Sequence, residues 1–384
     1  MNPVLAIFVD SLKPNSIDHM DFLSTFENQA RVKTELPSYS STCHASMYTG
    51  VYPEKHKHFF IWHLSQEASP FRRIAKWSGF IHGYHIKRLL YALSLRKYLF
   101  GTALYGFPFF VRHTVDYWSN FAPSIVKFWG EPDMYVGDYP TIFKILSDAR
   151  IDYQVIWKPK GSLHKIKVRN PVKPFTYIFI GHMDPITHSH GQESLEARKM
   201  LIQIDKVIEK VYIEFEKTFK DELFFMVFSD HGQAKIKEKV DLYAFFKSNR
   251  KNLNNYLHFI DSCYARFWFK TEEEKKEVVR VLSKMDDKGF ILTEKILKHY
   301  HAQMPRKYGD LIFYLEEPYA FDIVGSKAVC AHGYLPNHND LDGICISNRK
   351  LKRSVIVLQD IAPSILQALG LSMADYMDGE PIWR

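Results

Sequence analysis

The sequence predicts an α/β fold in which helices cover both faces of a mostly parallel central sheet. Three observations predict it. Short apolar runs typical of buried strands recur along the chain, amphipathic helical patterns lie between several of them, and 384 residues are enough to bury a large core. Hydrophobic residues make up 46% and charged residues 24%, a composition that excludes a disordered chain.

The predicted buried strands are short runs of apolar residues, several of them rich in β-branched side chains. The first of these runs, Val4–Val9, ends directly at Asp10. The others cover residues 153–157, 175–180, 223–228 and 311–314, and a further strand is predicted over residues 256–269.

The predicted helices are identified by apolar residues spaced three and four positions apart. The longest covers residues 193–218, and shorter ones cover 141–149 and 358–369. Thr271 followed by three glutamates supplies an N-cap and an acidic first turn for another helix, which runs to about residue 285.

One region, residues 59–130, interrupts this alternation because it is rich in aromatic and basic side chains. We interpret it as an inserted cap, and residues 235–325 as a second insert. The catalytic core would then be discontinuous, with residues 1–58 and 131–384. Within the cap, the apolar segment 98–111 is read either as the core of the cap or as a surface that docks on an anionic membrane or a lipid-linked phosphodiester.

The net charge of +8 suits an anionic substrate or surface, because the acidic residues are plentiful and interspersed. We expect no nucleic-acid partner. The amino terminus lacks an export signal, and no run reaches the ~18 apolar residues of a transmembrane helix. The four cysteines show no metal or disulfide spacing. These features predict a cytoplasmic location, with peripheral membrane contact through the cap as an alternative.

Four short motifs with metal-binding side chains stand at the ends of predicted strands. In a parallel sheet the carboxyl ends of the strands gather at one edge, where ligands bind. Three carboxylates and three imidazoles gathered there suit Zn²⁺, with Mn²⁺ as a competitor. A single Asp after a strand is more often a helix N-cap, but four such motifs in one chain favour a metal site. The six candidate ligands are Asp10, Asp184, His188, Asp230, His231 and His332.

A hydroxyl-rich turn at residues 36–42 leads into a short predicted helix. A helix amino terminus presents free N–H groups to an anion, and a metal-activated hydroxyl there becomes a nucleophile. Taken alone, the same run is better explained by Ser and Thr residues that cap the helix.

On these motifs the chain resembles the alkaline phosphatase superfamily, most closely its type I phosphodiesterase/nucleotide pyrophosphatase branch. The resemblance covers both ends of the chain, and the insert 59–130 matches nothing in it. It rests on Asp10, the block 37–56, Asp184-x-x-x-His188-x-x-Gly191, Ser229-Asp230-His231-Gly232, Ala331-His332-Gly333, and the tail motifs 359–366, 369–371 and 377–379.

The resemblance implies an alkaline phosphatase-like core that binds two metal ions, usually zinc. Asp184, His188 and His332 would hold one ion. Asp10, Asp230 and His231 would hold the other.

The resemblance also places the nucleophile ten residues before Gly50, at Ser40, which would displace an alcohol from phosphorus in line. Ser41 and Thr42 are the rivals if the register slips. Thr is usual at this position in the branch, and Asn is usual where Cys43 stands. Substrate-binding residues therefore remain unassigned, with Cys43 and His44 as candidates.

Competing activities are separated by motifs of the same superfamily. A sulfatase needs Cys/Ser-x-Pro-x-Arg, which the residues after Cys43 do not supply. A phosphomutase would need further His and Lys or Arg ligands, for which we find no match. A binding-only protein would have lost at least one metal ligand, whereas all six positions are filled. A phosphomonoesterase or a phosphotransferase would use the same residues, so both stay open beside hydrolysis of a phosphodiester or pyrophosphate.

Overall fold

The structure is a computed structural model that describes residues 2–75, 86, 89, 93, 115–124, 130–158, 160–168, 172–323, 326–337 and 339–384. The apolar segment 98–111 of the predicted cap lies outside the described residues. The chain divides into two compact units. Unit 1 contains Met1–His58, Trp129–Lys235 and Ala328–Arg384, and unit 2 contains Phe59–Phe128 and Ile236–Lys327. Among the described helices, none combines the length and the apolar character needed to span a bilayer.

Unit 1 is built on a seven-stranded sheet. Its strands are Val4–Val9 (β1), Asn28–Lys33 (β2), Tyr153–Lys158 (β3), Phe175–Ile180 (β4), Phe224–Phe228 (β5), Gly343–Ser347 (β6) and Val355–Val357 (β7). Their spatial order is β7-β2-β6-β5-β1-β4-β3. Pairing is parallel between β1 and β4, β1 and β5, β3 and β4, and β2 and β7, and only β6 runs antiparallel to its neighbours. This confirms the predicted mostly parallel sheet.

The central strand β1 is buried along its whole length, since every one of its residues is apolar and both faces of the sheet are covered. Its odd-numbered side chains, among them Leu5 and Ile7, join a core with the long helix Leu195–Phe219. On the opposite face, Phe8 packs edge-on against His44 of the helix Ser40–Thr49. The sheet is thus sandwiched between helices, as the sequence pattern predicts.

The helices of unit 1 follow the predicted amphipathic segments with small shifts at their ends. Thr141 and Ser194 cap two of them, each accepting a hydrogen bond from the backbone N–H three residues later. The helices are Ser40–Thr49 (α1), Pro53–His56 (α2), Ile142–Asp148 (α3), Met183–His190 (α4), Leu195–Phe219 (α5) and Ile361–Ala368 (α6). Two short ladders join Tyr135–Val136 to Tyr139–Pro140 and Ala234–Lys235 to Cys330–Ala331.

Unit 2 is organised around a four-stranded antiparallel sheet in the spatial order Leu257–Asp261, Tyr264–Trp268, Leu311–Leu315, Gly289–Ile291. Two-stranded ladders pair Trp62–Leu64 with Phe121–Pro123, and Glu238–Val240 with Tyr319–Phe321. Its described helices are Arg72–Ala75, Val115–Trp118, Leu242–Ser248, Glu272–Leu282 and Glu294–His299.

One sequence prediction within unit 2 is wrong. The single strand predicted over residues 256–269 is a hairpin, because Ser262 adopts a positive φ of 48° and reverses the chain. The buried strand predicted over residues 311–314 is confirmed, and it pairs antiparallel within this sheet. A short apolar run shows that a strand is buried, but it carries no information about the direction of its partner.

Candidate active site

Three acidic residues follow three neighbouring strands of the unit 1 sheet. Asp10 comes directly after β1, and Asp230 lies two residues after β5. Asp184 lies in the first turn of α4, the helix that follows β4. Because β4, β1 and β5 are adjacent and parallel, their carboxyl ends meet at one edge of the sheet. Strand order therefore gathers carboxylates that are far apart in the sequence.

Asp10, Asp230 and His231 form one group able to hold a metal ion. His231 Nε2 lies 3.2 Å from Asp230 Oδ2 and 3.9 Å from Asp10 Oδ1. Asp230 Oδ1 accepts hydrogen bonds from the backbone N–H groups of His231, at 2.9 Å, and of Ser11, at 3.4 Å. Asp230 Oδ2, in contrast, is buried without a hydrogen-bond partner in the described part of the chain. Such an oxygen is costly unless a cation binds it.

Asp184, His231 and His332 form a second group of this kind, so His231 faces both groups. Asp184 Oδ1 lies 3.6 Å from His332 Nε2 and 3.3 Å from Nε2 of His188, which is one turn further along α4. The structure thus brings all six predicted metal ligands to the same edge of the sheet.

The three imidazoles share one hydrogen-bonding pattern at Nδ1. Nδ1 of each lies within hydrogen-bond distance of a backbone carbonyl: Gly232 O at 3.1 Å from His231, Ser38 O at 2.7 Å from His332, and Cys330 O at 2.8 Å from His188. A carbonyl can only accept, so Nδ1 carries the proton in each ring. Nε2 is then the nitrogen turned towards the carboxylates, which is the arrangement that metal-binding histidines adopt.

Burial sets the protonation of the first group. It raises the pKa of Asp230 to about 7, and it raises the pKa of Asp10 well above its usual value with the help of the nearby charges of Asp230 and Asp184. Burial also lowers the pKa of His231 to about 4 and the pKa of His332 well below its usual value. Both imidazoles are therefore neutral at pH 7 and available as ligands, while the crowded carboxylates are stabilised by any cation that binds between them.

The second group contains an acid and a base that shift each other. Burial works against ionisation of Asp184, but the positive charge on His188 outweighs it and lowers the pKa of Asp184. Burial likewise lowers the pKa of His188, and the Asp184 carboxylate more than compensates and raises it. Asp184 and His188 therefore favour each other's charged form.

Ser40 is the first residue of α1, and its hydroxyl reaches the first group. Ser40 Oγ lies 3.0 Å from His231 Nε2 and 3.5 Å from Asp10 Oδ1. Since the first N–H groups of a helix have no partner within it, the backbone at this point can bind anionic oxygens. The helix ends at Gly50, whose φ of 73° would strain any other residue.

The neighbouring candidates are more deeply buried than Ser40. The rival hydroxyls belong to Ser41, which is 8% exposed, and Thr42, which is fully buried. Cys43 is also fully buried, with Sγ 3.8 Å from Thr34 Oγ1, and burial raises the pKa of its thiol well above the usual value. His44 packs between aromatic rings of the sheet, and burial lowers its pKa to about 3.

Several contacts that support the site could not be identified from the sequence. Gln233 Nε2 donates to Asp184 Oδ1 at 2.7 Å, and Ser229 Oγ accepts from the backbone N–H of Leu12 at 2.8 Å. Both flank the Asp230-His231-Gly232 motif, so their position next to it was the available signal. Gly232 has no room for a side chain, because a Cβ there would lie 2.2 Å from the carbonyl oxygen of Asp340.

A buried polar chain runs beneath α1 and was also missed. Glu35 accepts hydrogen bonds from Ser46 Oγ, at 2.7 and 2.9 Å, and from Gln359 Nε2, at 2.9 Å. His56 Nε2 lies 3.0 Å from Ser46 Oγ, while its Nδ1 accepts from the backbone N–H of His58. Nδ1 is therefore unprotonated, and the proton of the neutral ring lies on Nε2 and points to Ser46. This chain of hydrogen bonds ties α1 to residues distant in sequence.

Comparisons with known proteins show what the chain is similar to. The family model "Type I phosphodiesterase / nucleotide pyrophosphatase" matches residues 4–334. A search of curated proteins finds no match. Among solved structures, human ectonucleotide pyrophosphatase/phosphodiesterase 5 is similar with a TM-score of 0.70 at 12% identity, covering 99% of this chain and 97% of its own. An inactive form of the murine protein in complex with AMP has a TM-score of 0.68 at 11% identity, with 98% and 97% covered.

Proposed function

We propose that this chain, which belongs to the type I phosphodiesterase/nucleotide pyrophosphatase family, hydrolyses phosphodiester or pyrophosphate bonds with Ser40 as the nucleophile. The observation that carries the proposal is the position of Ser40 Oγ, 3.0 Å from His231 Nε2 at the start of a helix and beside a cluster of metal-type ligands. An isolated serine hydroxyl is a weak nucleophile at neutral pH, so its placement beside charged and basic groups is what the reaction requires.

The donor set fits two divalent cations, and we propose Zn²⁺, with Mn²⁺ as the alternative. Carboxylate oxygens and imidazole nitrogens are the ligands that zinc prefers in catalytic sites, and the partnerless Asp230 Oδ2 is an atom that a cation would satisfy. Asp10, Asp230 and His231 would hold the ion nearer Ser40. Asp184, His188 and His332 would hold the other, and together the ions would supply Lewis acidity at phosphorus and its leaving group.

In the reaction that we propose, Ser40 Oγ releases its proton to solvent and forms a bond to phosphorus, while the bond to the leaving alcohol or phosphate breaks on the opposite side and the leaving oxygen takes up a proton. The amino-terminal N–H groups of α1 orient the non-bridging oxygens. Water then cleaves the ester between Ser40 and phosphorus and restores the Ser40 hydroxyl. The Nδ1 hydrogen bond to Gly232 O fixes the ring of His231, so that Nε2 is available to the ion that Asp10, Asp230 and His231 would hold.

The substrate class follows from the family and from a structural neighbour. The murine protein noted above binds AMP, so a nucleotide diester is one candidate substrate, and a lipid-linked phosphodiester is another. Transfer to an alcohol and monoester hydrolysis remain the second candidates, because the same residues serve all three reactions. We also propose a cytoplasmic location: all four cysteines lie in the described part of the chain, and no disulfide joins any of them.

The test is the kcat of Ser40→Ala on bis-p-nitrophenyl phosphate, with Ser41→Ala as the matched control. Ser40→Ala should lower kcat by several orders of magnitude with unchanged metal content and folding, because it removes one half-exposed oxygen and no core volume. Ser41→Ala should stay within tenfold of the wild type. An active Ser40→Ala with an inactive Thr42→Ala would show that the nucleophile lies two residues further along α1.

A second measurement separates the reaction classes. The proposal predicts a higher kcat/KM for bis-p-nitrophenyl phosphate than for p-nitrophenyl phosphate. The opposite preference would identify a phosphomonoesterase. With bis-p-nitrophenyl phosphate and added glycerol, formation of glyceryl p-nitrophenyl phosphate at the expense of p-nitrophenyl phosphate would identify a transferase.

A further inference from the structure

The motif at residues 229–232, which carries two of the proposed metal ligands, is held at both ends by one neighbouring segment. The backbone N–H of its first residue donates to Ile344 O at 3.0 Å, and that of its last residue donates to Leu341 O at 2.9 Å. Residues 341–344, here called the backing segment, lead into β6, which is adjacent to β5 in the sheet. The backing segment therefore fixes the backbone on both sides of Asp230 and His231.

The contact between the motif and the backing segment is tight and extends to an imidazole ring. A Cβ at Gly343 would lie 2.6 Å from the carbonyl oxygen of Ser229, so the two backbones leave no space between them. Gly232, whose N–H is bound by Leu341 O, accepts with its own carbonyl oxygen from Nδ1 of His231 at 3.1 Å. In such close packing, a shift of the backing segment must also shift the carbonyl that orients this ring.

Asp342, within the backing segment, anchors it to the strand β2. The carboxylate is fully buried, and its Oδ2 accepts a hydrogen bond from Lys33 Nζ at 2.9 Å and lies 3.6 Å from Nη1 of Arg31. The two cationic side chains are 35% and 38% exposed, so the acid is the buried partner of each pair. A buried carboxylate is costly without such partners, so the ion pairs hold Asp342 and its segment against β2.

We propose that Asp342 is a positioning residue which, by anchoring the backing segment, fixes the orientation of Asp230 and His231. Its side chain acts on them through backbone groups, the carbonyls of Leu341 and Ile344. The role in metal binding rests on the proposed function, whereas the effect on the ring of His231 does not. The proposal adds to the site a charged group that binds neither metal nor substrate.

The first test is the affinity of the metal-free full chain for Zn²⁺, measured by competition with a chelator. We expect Asp342→Asn to bind zinc about tenfold more weakly than the wild type, because groups that orient metal ligands typically contribute at least that much to affinity. Asp342→Asn keeps the size of the side chain and removes the charge that pairs with Lys33 and Arg31.

Asp360→Asn is the matched control. The Asp360 side chain is 2% exposed and pairs with Arg353, which is 37% exposed, at 2.6 Å, so the burial of both partners resembles that of Asp342 and Lys33. Its other hydrogen bonds come from the backbone N–H groups of Val357 and Glu380, away from the motif at 229–232. Asp360→Asn should therefore lower stability and leave zinc affinity at the wild-type value.

The second test requires no metal. In protein labelled with ¹⁵N-histidine, the ring N–H of His231 is the signal that His231→Gln lacks. Because this proton lies on Nδ1 in the hydrogen bond to Gly232 O, its signal should be the same in the wild type and in Asp360→Asn. In Asp342→Asn the signal should broaden or move, because the carbonyl that accepts the proton is no longer fixed.

Variants of Lys33 keep the proposal testable if Asp342→Asn does not fold. Lys33→Gln leaves Arg31 as a partner of Asp342, so its zinc affinity should lie between those of the wild type and Asp342→Asn. Lys33→Arg restores a cation and should recover the wild-type affinity and the wild-type ring signal. Equal zinc binding by the Gln and Arg variants would show that the ion pair does not position the ligands.

Three results would overturn the proposal. The first is wild-type zinc affinity in Asp342→Asn, and the second is an unchanged ring signal of His231 in that variant. The third is an equal loss of zinc affinity in Asp342→Asn and Asp360→Asn, which would show that reduced stability alone explains the effect. Failure of the wild type to bind zinc would refute the proposed metal centre instead, and the ring signal would then decide the positioning role.

Discussion

Replacing Glu35 by Gln is expected to change how the stability of the protein depends on pH. Glu35 is 6% exposed and lies beneath α1, where Ser46 and Gln359 donate hydrogen bonds to it. Burial raises its pKa from the usual 4.5 to about 8, although these two hydrogen bonds partly oppose the change. Between pH 4.5 and 8 the carboxyl is therefore mostly protonated in the folded chain and mostly ionised in the unfolded chain.

The direction in which stability changes with pH follows from whether the folded or the unfolded state binds more protons. Between pH 4.5 and 8 the folded state binds one proton more than the unfolded state, so the stability contributed by this group is full below pH 4.5 and falls as the pH rises to 8. At about 1.4 kcal/mol per pH unit, the loss is on the order of 5 kcal/mol. Glu35→Gln keeps the shape and cannot ionise. The substitution itself should lower the free energy of unfolding by about 1 kcal/mol, because one hydrogen bond must be rearranged by turning the amide of Gln359.

The assay is urea unfolding of metal-free wild type and Glu35→Gln at half-unit intervals from pH 5 to 8.5. The variant should be slightly less stable at pH 5 and several kcal/mol more stable than the wild type at pH 8, with a crossover between them. The difference between the two free energies of unfolding at each pH removes the contribution of the site carboxylates, because these titrate in both proteins. Glu196→Gln, at an exposed position of α5, should show no such crossover. A difference between Glu35→Gln and wild type that stays constant with pH would refute the reasoning.

Two further predictions concern the site itself. Asp230→Ala should lower bound metal below the wild-type content, measured by elemental analysis, and should lower turnover with it, because the ligand with the partnerless buried oxygen is removed. Normal activity with normal metal content would refute its assignment as a ligand. Cys43→Ala should leave KM within twofold and cost about 1 kcal/mol of stability, since Sγ is buried against Thr34 Oγ1. A tenfold rise in KM at unchanged stability would instead show that Cys43 contacts the substrate.

The candidate site residues could be predicted from the sequence because their positions depend on local features. A carboxylate directly after an apolar run, as at Asp10, stands at the end of a buried strand whatever the rest of the chain does. The end of the helix that Ser40 begins is equally local, since Gly50 follows Thr49 with a positive φ. The positions of such residues next to strands and helices can therefore be predicted from short stretches of sequence.

The hydrogen-bond partners of these residues could not be predicted, because they come from distant segments of the chain. Asp184 is oriented by Gln233, and His332 by the carbonyl of Ser38, across separations that no periodicity encodes. The chain that joins Glu35, Ser46 and His56 to Gln359 is of the same kind.

By itself, the sequence determined the mostly parallel α/β core and the strand ends that carry the candidate metal ligands. The tertiary structure alone decided that His231 faces both ligand groups, that Asp230 Oδ2 is left without a partner, and that the run at Leu311 joins an antiparallel sheet. The physical reason is that hydrophobic burial and helix periodicity act between near neighbours in the chain. Strand order, ring orientation and hydrogen-bond satisfaction are settled only when distant segments pack together.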